Sequence, residues 1–284
     1  MLNSIRLQNV VRRLSIHTVL LAGSLIMVIP LLWTLSTSLK TPQQIAIWPP
    51  EWIPNPVKWS NYIEVFGAAP VTLWIRNSLV IVVANVFGSV VTCSLVAYGF
   101  ARMRFPGRDA LFILLLSTLM MPYIVRLIPL YVFYSQIGWL NTFLPVTVPQ
   151  LLARNPFFIF LLRQFFRGIP FELSDAARID GCGEFGIWWR IIMPLSKPAL
   201  AAVAIFAFRD AWDNFLAPLI YLAGAPHLRP LAVGLYTLRG GGGQLPDTNY
   251  LMALSTLMVI PMLIMFAMGQ RYFIRGVTLS GIKG

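Results

Sequence analysis

From Leu14 to Leu39 the chain carries no formal charge at neutral pH, and from Asn77 to Phe100 it again carries none. A helix needs about 20 apolar residues to cross the hydrocarbon core of a bilayer, so each run is long enough to span it alone. Four further runs share this composition with interruptions. The third begins at Ala110 and passes Arg126 to reach about Phe133. The fourth, 143–162, contains Pro145, Pro149, Arg154 and Pro156. The fifth is 199–222, and the sixth, 248–270, contains Pro261. Proline inside a span is tolerated where neighbouring helices or water satisfy the freed carbonyl. Only 11% of the residues are charged, against about 25% in soluble domains, so a dissolved globule is excluded. The reading is an all-α membrane protein with six transmembrane helices in a single domain, 1–284.

The net charge of +12 does not imply nucleic acid, because most of the basic residues sit just outside the apolar runs. Counted in alternate loops, fourteen Lys and Arg fall on one side and four on the other. The richer side holds Arg6, Arg12 and Arg13, then Arg102, Arg104 and Arg108. It also holds Arg163 to Lys197 and the tail from Arg271 to Lys283. That asymmetry places both termini in the cytoplasm. The first run resembles a signal peptide, but it exceeds the usual apolar core of about 7–15 residues and is followed only by Ser36-Thr37-Ser38, a poor cleavage site. It is read as a retained helix. Thr41 to Leu73 is rich in Pro and Trp and suggests interfacial or extracytoplasmic packing. Gly240 to Gly243 should be flexible. Cys93 and Cys182 are read as inert thiols, and His17 and His227 form no metal site.

Between the fourth and fifth runs lie about 35 residues, 163–198, far more than a helix connection needs, and 170–198 is patterned. Pro170 can start a helix, with Glu172 and Asp175 at its positive end. Ala176, Ala177 and Ile179 give it a small apolar surface, and Gly181 ends it in a left-handed cap. A second helix is expected from Glu184 to Met193, carrying Trp188 and Trp189 and stopped by Pro194. Two short helices meeting at a glycine form either a cytoplasmic knob that receives a partner or an amphipathic pair lying on lipid.

The residues themselves decide between these. Asp175-Ala176-Ala177-Arg178-Ile179-Asp180-Gly181, then Ile191-Ile192-Met193-Pro194-Leu195, closely resembles the coupling-loop signature of binding-protein-dependent ABC importer permeases. That signature reads Glu-Ala-Ala-x-x-x-Gly and then Ile-x-Leu-Pro. Asp175 replaces Glu, keeping the charge on a shorter arm, and Met193 replaces Leu. Asn155-Pro156-Phe157-Phe158 with Leu162 to Phe166, Ile128 to Tyr131 and Gly138 to Thr142 resemble the carbohydrate-uptake branch. Trp212-Asp213-Asn214-Phe215 is similar to that branch's Trp-Asn-Asp-Phe with the polar pair exchanged. The tail from Arg275 to Gly284 is similar to the end of maltose-type second permeases.

The resemblance implies a type I ABC importer permease fold with a two-helix cytoplasmic coupling loop. It implies a second permease subunit as heterodimer partner, two ATPase subunits and an extracytoplasmic sugar-binding protein. Glu172, Asp175, Ala176, Ala177, Asp180, Gly181 and Pro194 would contact or shape the ATPase-facing surface. ATP and Mg would bind the partner ATPase subunits, since this chain has no Gly-x-x-x-x-Gly-Lys-Ser/Thr phosphate loop.

Charged groups at bilayer depth cost about 2.5–3.5 kcal/mol on insertion scales and usually face an interior path. Asp210, Asp213 and Asn214 share one helix face by their spacing, and Arg209 can pair with Asp213. With Trp212 they offer the hydrogen-bonding and stacking groups that hold sugars. The alternative is a structural ion pair that fixes helix packing. Arg126, between Pro122 and Pro129, is a weaker candidate of the same kind on a segment expected to unwind. Competing functions are an ion-driven secondary transporter, a permease for a glycerophosphate-type ligand, a membrane-embedded enzyme and a scaffold for ATPases. The enzyme reading lacks any visible catalytic constellation.

Overall fold

The structure is a computed structural model that describes residues 2–240 and 248–280. The tail motif from Arg275 and the run beginning at Gly240 fall outside the residues whose side chains are described. Every regular element among the described residues is helical. In chain order they are α1 (Leu2–Ser38), α2 (Pro42–Ile45), α3 (Asn61–Ala68), α4 (Val71–Arg102), α5 (Arg108–Ser117), α6 (Tyr123–Gln136), α7 (Leu144–Leu151) and α8 (Pro156–Arg167). They continue with α9 (Glu172–Ile179), α10 (Glu184–Ile187), α11 (Met193–Leu195), α12 (Lys197–Trp212), α13 (Leu216–Tyr221), α14 (Leu231–Gly240) and α15 (Thr248–Ser280).

Three uninterrupted stretches are long and apolar enough to cross a membrane: Val11–Ser38, Val71–Arg102 and Thr248–Gly269. The third expected run is broken. A short 3-10 turn, Thr118–Met120, precedes Pro122, and the flanking helices differ in direction by 100°. The break lies before Pro122 because a residue preceding proline is pushed out of the helical region. Arg126 therefore sits on α6, not on an unwound segment between Pro122 and Pro129. The fourth run is likewise two helices, α7 and α8, parted at 152–155 ahead of Pro156. The fifth breaks at 213–215, between α12 and α13.

The chain divides into two compact units. The first comprises Met1–Pro70 and Leu235–Ile260. In it the polar side chains after α1 satisfy the backbone where the helix ends. Asn61 donates to the carbonyls of Ser38 and Lys40, each at 2.9 Å, and accepts from Asn249 at 2.9 Å. Lys58 and the Tyr250 hydroxyl both reach Glu64 at 2.8 Å, and with Ser60 they hold its carboxyl down to about 2.

The second unit comprises Val71–Gly234 and Pro261–Gly284, and it is built around α4, which packs against α7, α8 and α12. From Gly88 to Ala101 the face α4 buries is mostly small: Gly88, Ser89, Cys93, Ser94, Ala97 and Ala101. In lipid, helices gain little from apolar burial against one another, and small residues let backbones approach for van der Waals contact. Gly88 shows how close. A Cβ there would stand 3.0 Å from the carbonyl carbon and oxygen of Gln150. The same core takes in Phe158, Ile159, Leu162 and Phe166 of α8, with Val203 and Ala207 of α12.

The 170–198 segment is anchored to this core. Ala177, Ile187, Trp188 and Ile192 are buried in it. Gly181 has φ +80, and its N–H binds the Arg178 carbonyl at 3.0 Å while Cys182 N–H binds that of Ala177 at 2.8 Å. This is the glycine-terminated helix end expected from the sequence. The second helix does not stop at Pro194. It widens to a π turn over Trp188–Ile192 and runs to Leu195 before turning by 84° into α12. Pro194 has no N–H to offer the Arg190 carbonyl, and a widened turn is how a helix absorbs such a loss.

A Gly88→Val substitution should therefore separate α4 from the α7 end and cost about 1–3 kcal/mol of overpacking, read as a lowered thermal transition of the detergent-purified protein. An unchanged transition would mean the close approach at Gly88 is not maintained in the membrane.

Candidate functional site

Two features of the second unit bear the chemistry, a helical knob and a polar cavity. On the knob, Glu172 opens α9, and Asp175, Ala176, Asp180 and Gly181 are all exposed beside it. Pro194 is exposed on the last turn of the second helix. Ala177 is not part of this surface. It is only 9% exposed and packs inward, because positions 174 and 177 of α9 turn toward the core while 175, 176 and 179 turn away. The most exposed apolar residues of the knob are instead Ile179, 87% exposed, and Phe185, 66% exposed, with Phe171, Leu173, Trp189 and Leu195 also exposed.

The knob is held by side chains that sequence reading assigned only to topology or to helix ends. Arg178 binds Asp175 at 2.7 Å through Nη1 and Glu184 at 2.8 Å through Nε. The Arg178 guanidinium keeps the Glu184 carboxyl below its ordinary range. Glu184 also accepts the hydroxyl of Tyr98, which is buried on α4. One turn on, Arg102 donates to the carbonyls of Ile169 at 2.7 Å and Pro170 at 3.4 Å and lies over the Phe171 ring. It thereby satisfies backbone groups where α8 hands over to α9. The spacing of Tyr98 and Arg102, i and i+4 at the end of an apolar run, was the available sign that one face of α4 receives a polar partner.

The cavity lies where the three broken runs converge. Its volume is about 480 Å³, and its lining includes Thr118, Leu119 and Tyr123 from the first break and Gln150, Arg154 and Asn155 from the second. Asp213 and Asn214 come from the third, with Arg126, Arg209 and Asp210 beside them. Non-helical backbone at membrane depth is tolerated only inside protein or along a wet cavity, so breaks and cavity require each other. The second break is satisfied locally. Asn155 caps α8 by accepting from the N–H groups of Phe157 and Phe158, at 3.1 and 3.4 Å. The Thr92 hydroxyl accepts from Ala153 N–H at 3.1 Å and shares its proton between the Gly88 carbonyl at 2.7 Å and the Gln150 carbonyl at 3.2 Å.

Arg126, Asp210, Asp213 and Asn214 are thus brought together, although not as a helix face. Helix α12 ends at Trp212, Asp213 is its C-cap, and Asn214 lies in the break. The expected Arg209–Asp213 ion pair does not form among the described residues, although the helical register reaches Asp213. The Asp213 backbone N–H binds the Arg209 carbonyl at 2.9 Å instead. Trp212 does not line the cavity. It is 4% exposed and stacks on Phe208 with ring centroids 5.8 Å apart. Three guanidiniums, Arg126, Arg154 and Arg209, face two carboxylates, Asp210 and Asp213, so the lining is net positive. Gln150 Oε1 and Arg126 Nε are buried atoms without a hydrogen-bond partner, which leaves polar groups available there.

Comparison with known proteins adds the family. Residues 84–279 match the family described as binding-protein-dependent transport system inner membrane component. The chain is 38% identical to an arabinooligosaccharides transport system permease protein, AraQ, of Halalkalibacterium halodurans, over 81% of each chain. It is 33% identical to the osmoprotective compounds uptake permease protein GgtD of Synechocystis, over 96% of this chain and 93% of that one. It is 32% identical to the sn-glycerol-3-phosphate transport system permease protein UgpE of Yersinia enterocolitica, over 93% and 95%. Among solved structures, a chain of a bacterial ABC transporter involved in the import of the acidic polysaccharide alginate shares the fold. The TM-score is 0.82 over 92% of this chain and 97% of that one, at 22% identity. The apolar helices, the knob with its glycine cap and the cavity at the helix breaks are therefore those of a multi-pass inner-membrane permease. The chain belongs to the family of inner membrane components of binding-protein-dependent ABC transport systems.

Proposed function

We propose that this chain is one of two permease subunits of an ATP-driven importer for a sugar or oligosaccharide, with both termini in the cytoplasm. The knob at 170–198 docks in a separate ATPase subunit, and the polar cavity lies on the translocation path. Glu172, Asp175, Ala176, Asp180 and Gly181 form the docking surface, with Ala177 and Pro194 shaping it from behind and below. Two ATPase subunits carry the ATP and Mg, and this chain hydrolyses none. An extracytoplasmic sugar-binding protein selects the ligand first. The observation that carries the reading is the knob itself. Its inward face is seated in the same core as α4, α8 and α12, while its outward face sets Glu172, Asp175, Ala176 and Asp180 beside exposed Ile179 and Phe185. A pair of helices lying on lipid would not need such a buried base. In the cavity, Arg126, Asp210, Asp213 and Asn214 offer hydrogen bonds to hydroxyl groups, whereas Trp212 supports packing.

A second reading is favoured by the excess of guanidinium in the cavity: a ligand bearing an anionic group, of the glycerophosphate type. Calorimetry of the partner binding protein with an arabino-oligosaccharide and with glycerol 3-phosphate separates the two. Binding of only the phosphate ester selects the second.

Deleting Asp175 to Gly181 should leave the chain inserted and abolish co-purification of the ATPase. Retention of the ATPase by that variant would end the coupling reading. Gly181→Val forces a β-branched residue into the left-handed region at a cost of about 1–2 kcal/mol, so ATPase capture should fall by about tenfold. No neighbour lies within 4 Å of a Cβ there, so the cost is conformational. Asp213→Ala should lower uptake by about tenfold or more with membrane level unchanged, whereas Trp212→Phe should spare uptake. The reverse pattern would remove the cavity from the path.

A further inference from the structure

Helix α4 touches the knob at one end and the cavity wall near its middle. At the knob, Tyr98, 2% exposed, donates its hydroxyl to Glu184, and Arg178 links Glu184 to Asp175 on the docking surface. Near its middle, Thr92 clasps the α7–α8 break through the Gln150 carbonyl and the Ala153 N–H, at 3.2 and 3.1 Å. Asn85, one turn pair earlier, donates to the Val146 carbonyl of α7 at 2.9 Å. Gly88 lets α4 approach the Gln150 backbone closely enough for these bonds to form. Gln150 itself lines the cavity, as do the neighbouring Arg154 and Asn155. Thr92 and Tyr98 are separated by about 9 Å along the helix axis, at about 1.5 Å per residue.

The Arg178–Glu184 pair is too exposed to add much stability, with side chains 36% and 40% accessible. Its effect is on direction. A buried hydroxyl and a forked guanidinium fix Glu184 from two sides, so a displacement of α9 cannot leave α4 behind. An apolar contact at the same place would slide.

We propose that α4 is the rod that carries motion of the knob to the cavity, with Tyr98 and Thr92 as positioning residues at its two points of contact. When the ATPase subunits move α9, the Asp175–Arg178–Glu184–Tyr98 chain moves α4. Thr92 then shifts the α7–α8 break and reshapes the cavity lining. This rests on the coupling role proposed above for the knob.

The test uses the transporter assembled with its partner permease and ATPase subunits. Cys93→Ala and Cys182→Ser remove the native thiols, and Leu119→Cys places one on the cavity lining. The probe is a membrane-impermeant maleimide, applied before and after trapping with ATP and vanadate. In this parent, trapping should change the labelling rate by about tenfold, and Tyr98→Phe or Thr92→Val should each shrink that change to within about twofold. ATPase capture and vanadate-trapped nucleotide should persist in both, and Thr92→Ser should behave as the parent. Combining the two should add no further loss, as expected for two points on one path. Glu184→Gln provides a second variant at the knob end should Tyr98→Phe fail to accumulate in the membrane. A full response in Tyr98→Phe or Glu184→Gln overturns the proposal, as does a double variant whose effects multiply. Loss of the ATPase from Tyr98→Phe also overturns it, since the contact would then serve docking. A parent that shows no nucleotide-dependent change would instead refute the coupling role on which the rod depends.

Discussion

A transmembrane helix can be interrupted within hydrocarbon only if each backbone group released by the interruption finds a partner inside the protein. In this chain that requirement falls most heavily on the α7–α8 break. Thr92 and Asn155 answer it by bonding the N–H groups of Ala153, Phe157 and Phe158. Asn85 reaches the Val146 carbonyl from the same face of α4. These bonds need the backbones of α4 and α7 to lie nearly in contact, which the glycine at 88 permits. The small buried face of α4 and the polar cavity are therefore one design. Close packing supplies the partners that make the breaks tolerable, and the breaks release the polar groups that line the cavity.

The knob follows from a related rule on the other side of the molecule. Two short helices, Glu172–Ile179 and Glu184–Leu195, have little stability in isolation, because nucleation is costly and few hydrogen bonds repay it. Burial of Trp188, Ile187 and Ile192 in the core of α4 and α8 supplies what the helices lack, and the cap at Gly181 closes the end of the first. Arg102, by taking the carbonyls of Ile169 and Pro170, fixes where the knob begins. What remains outward, charged groups beside Ile179 and Phe185, is mounted on a buried base, which suits a surface that receives displacement and does not merely adhere.

Much of this was legible along the chain. Uncharged apolar runs, the excess of arginine outside them and the glycine-ended helix at 172–181 all depend on neighbours within a few residues. The local chemistry of Pro122 and Pro156 also pointed to interruption, yet the position of each break needed the fold. The expected pairing of Arg209 with Asp213 is absent even though the Asp213 N–H closes the helical bond to the Arg209 carbonyl, because spacing makes a pair possible and the surroundings decide whether it forms. Trp212, counted among ring-stacking groups, is committed to Phe208 one turn earlier on α12.

The sequence by itself determined that the chain is helical, that its long runs belong in lipid, and that the 170–198 segment bears a glycine-capped helix near a second one. These are consequences of composition and of hydrogen bonds closed within a turn. Only the tertiary structure decided that Ala177 faces inward while Ala176 faces out, that Arg178 and Glu184 meet Tyr98, and that three separate breaks enclose one cavity. Such outcomes join residues as distant as Thr92 and Ala153, and a contact of that kind is set by how helices pack, which no local pattern of residues encodes.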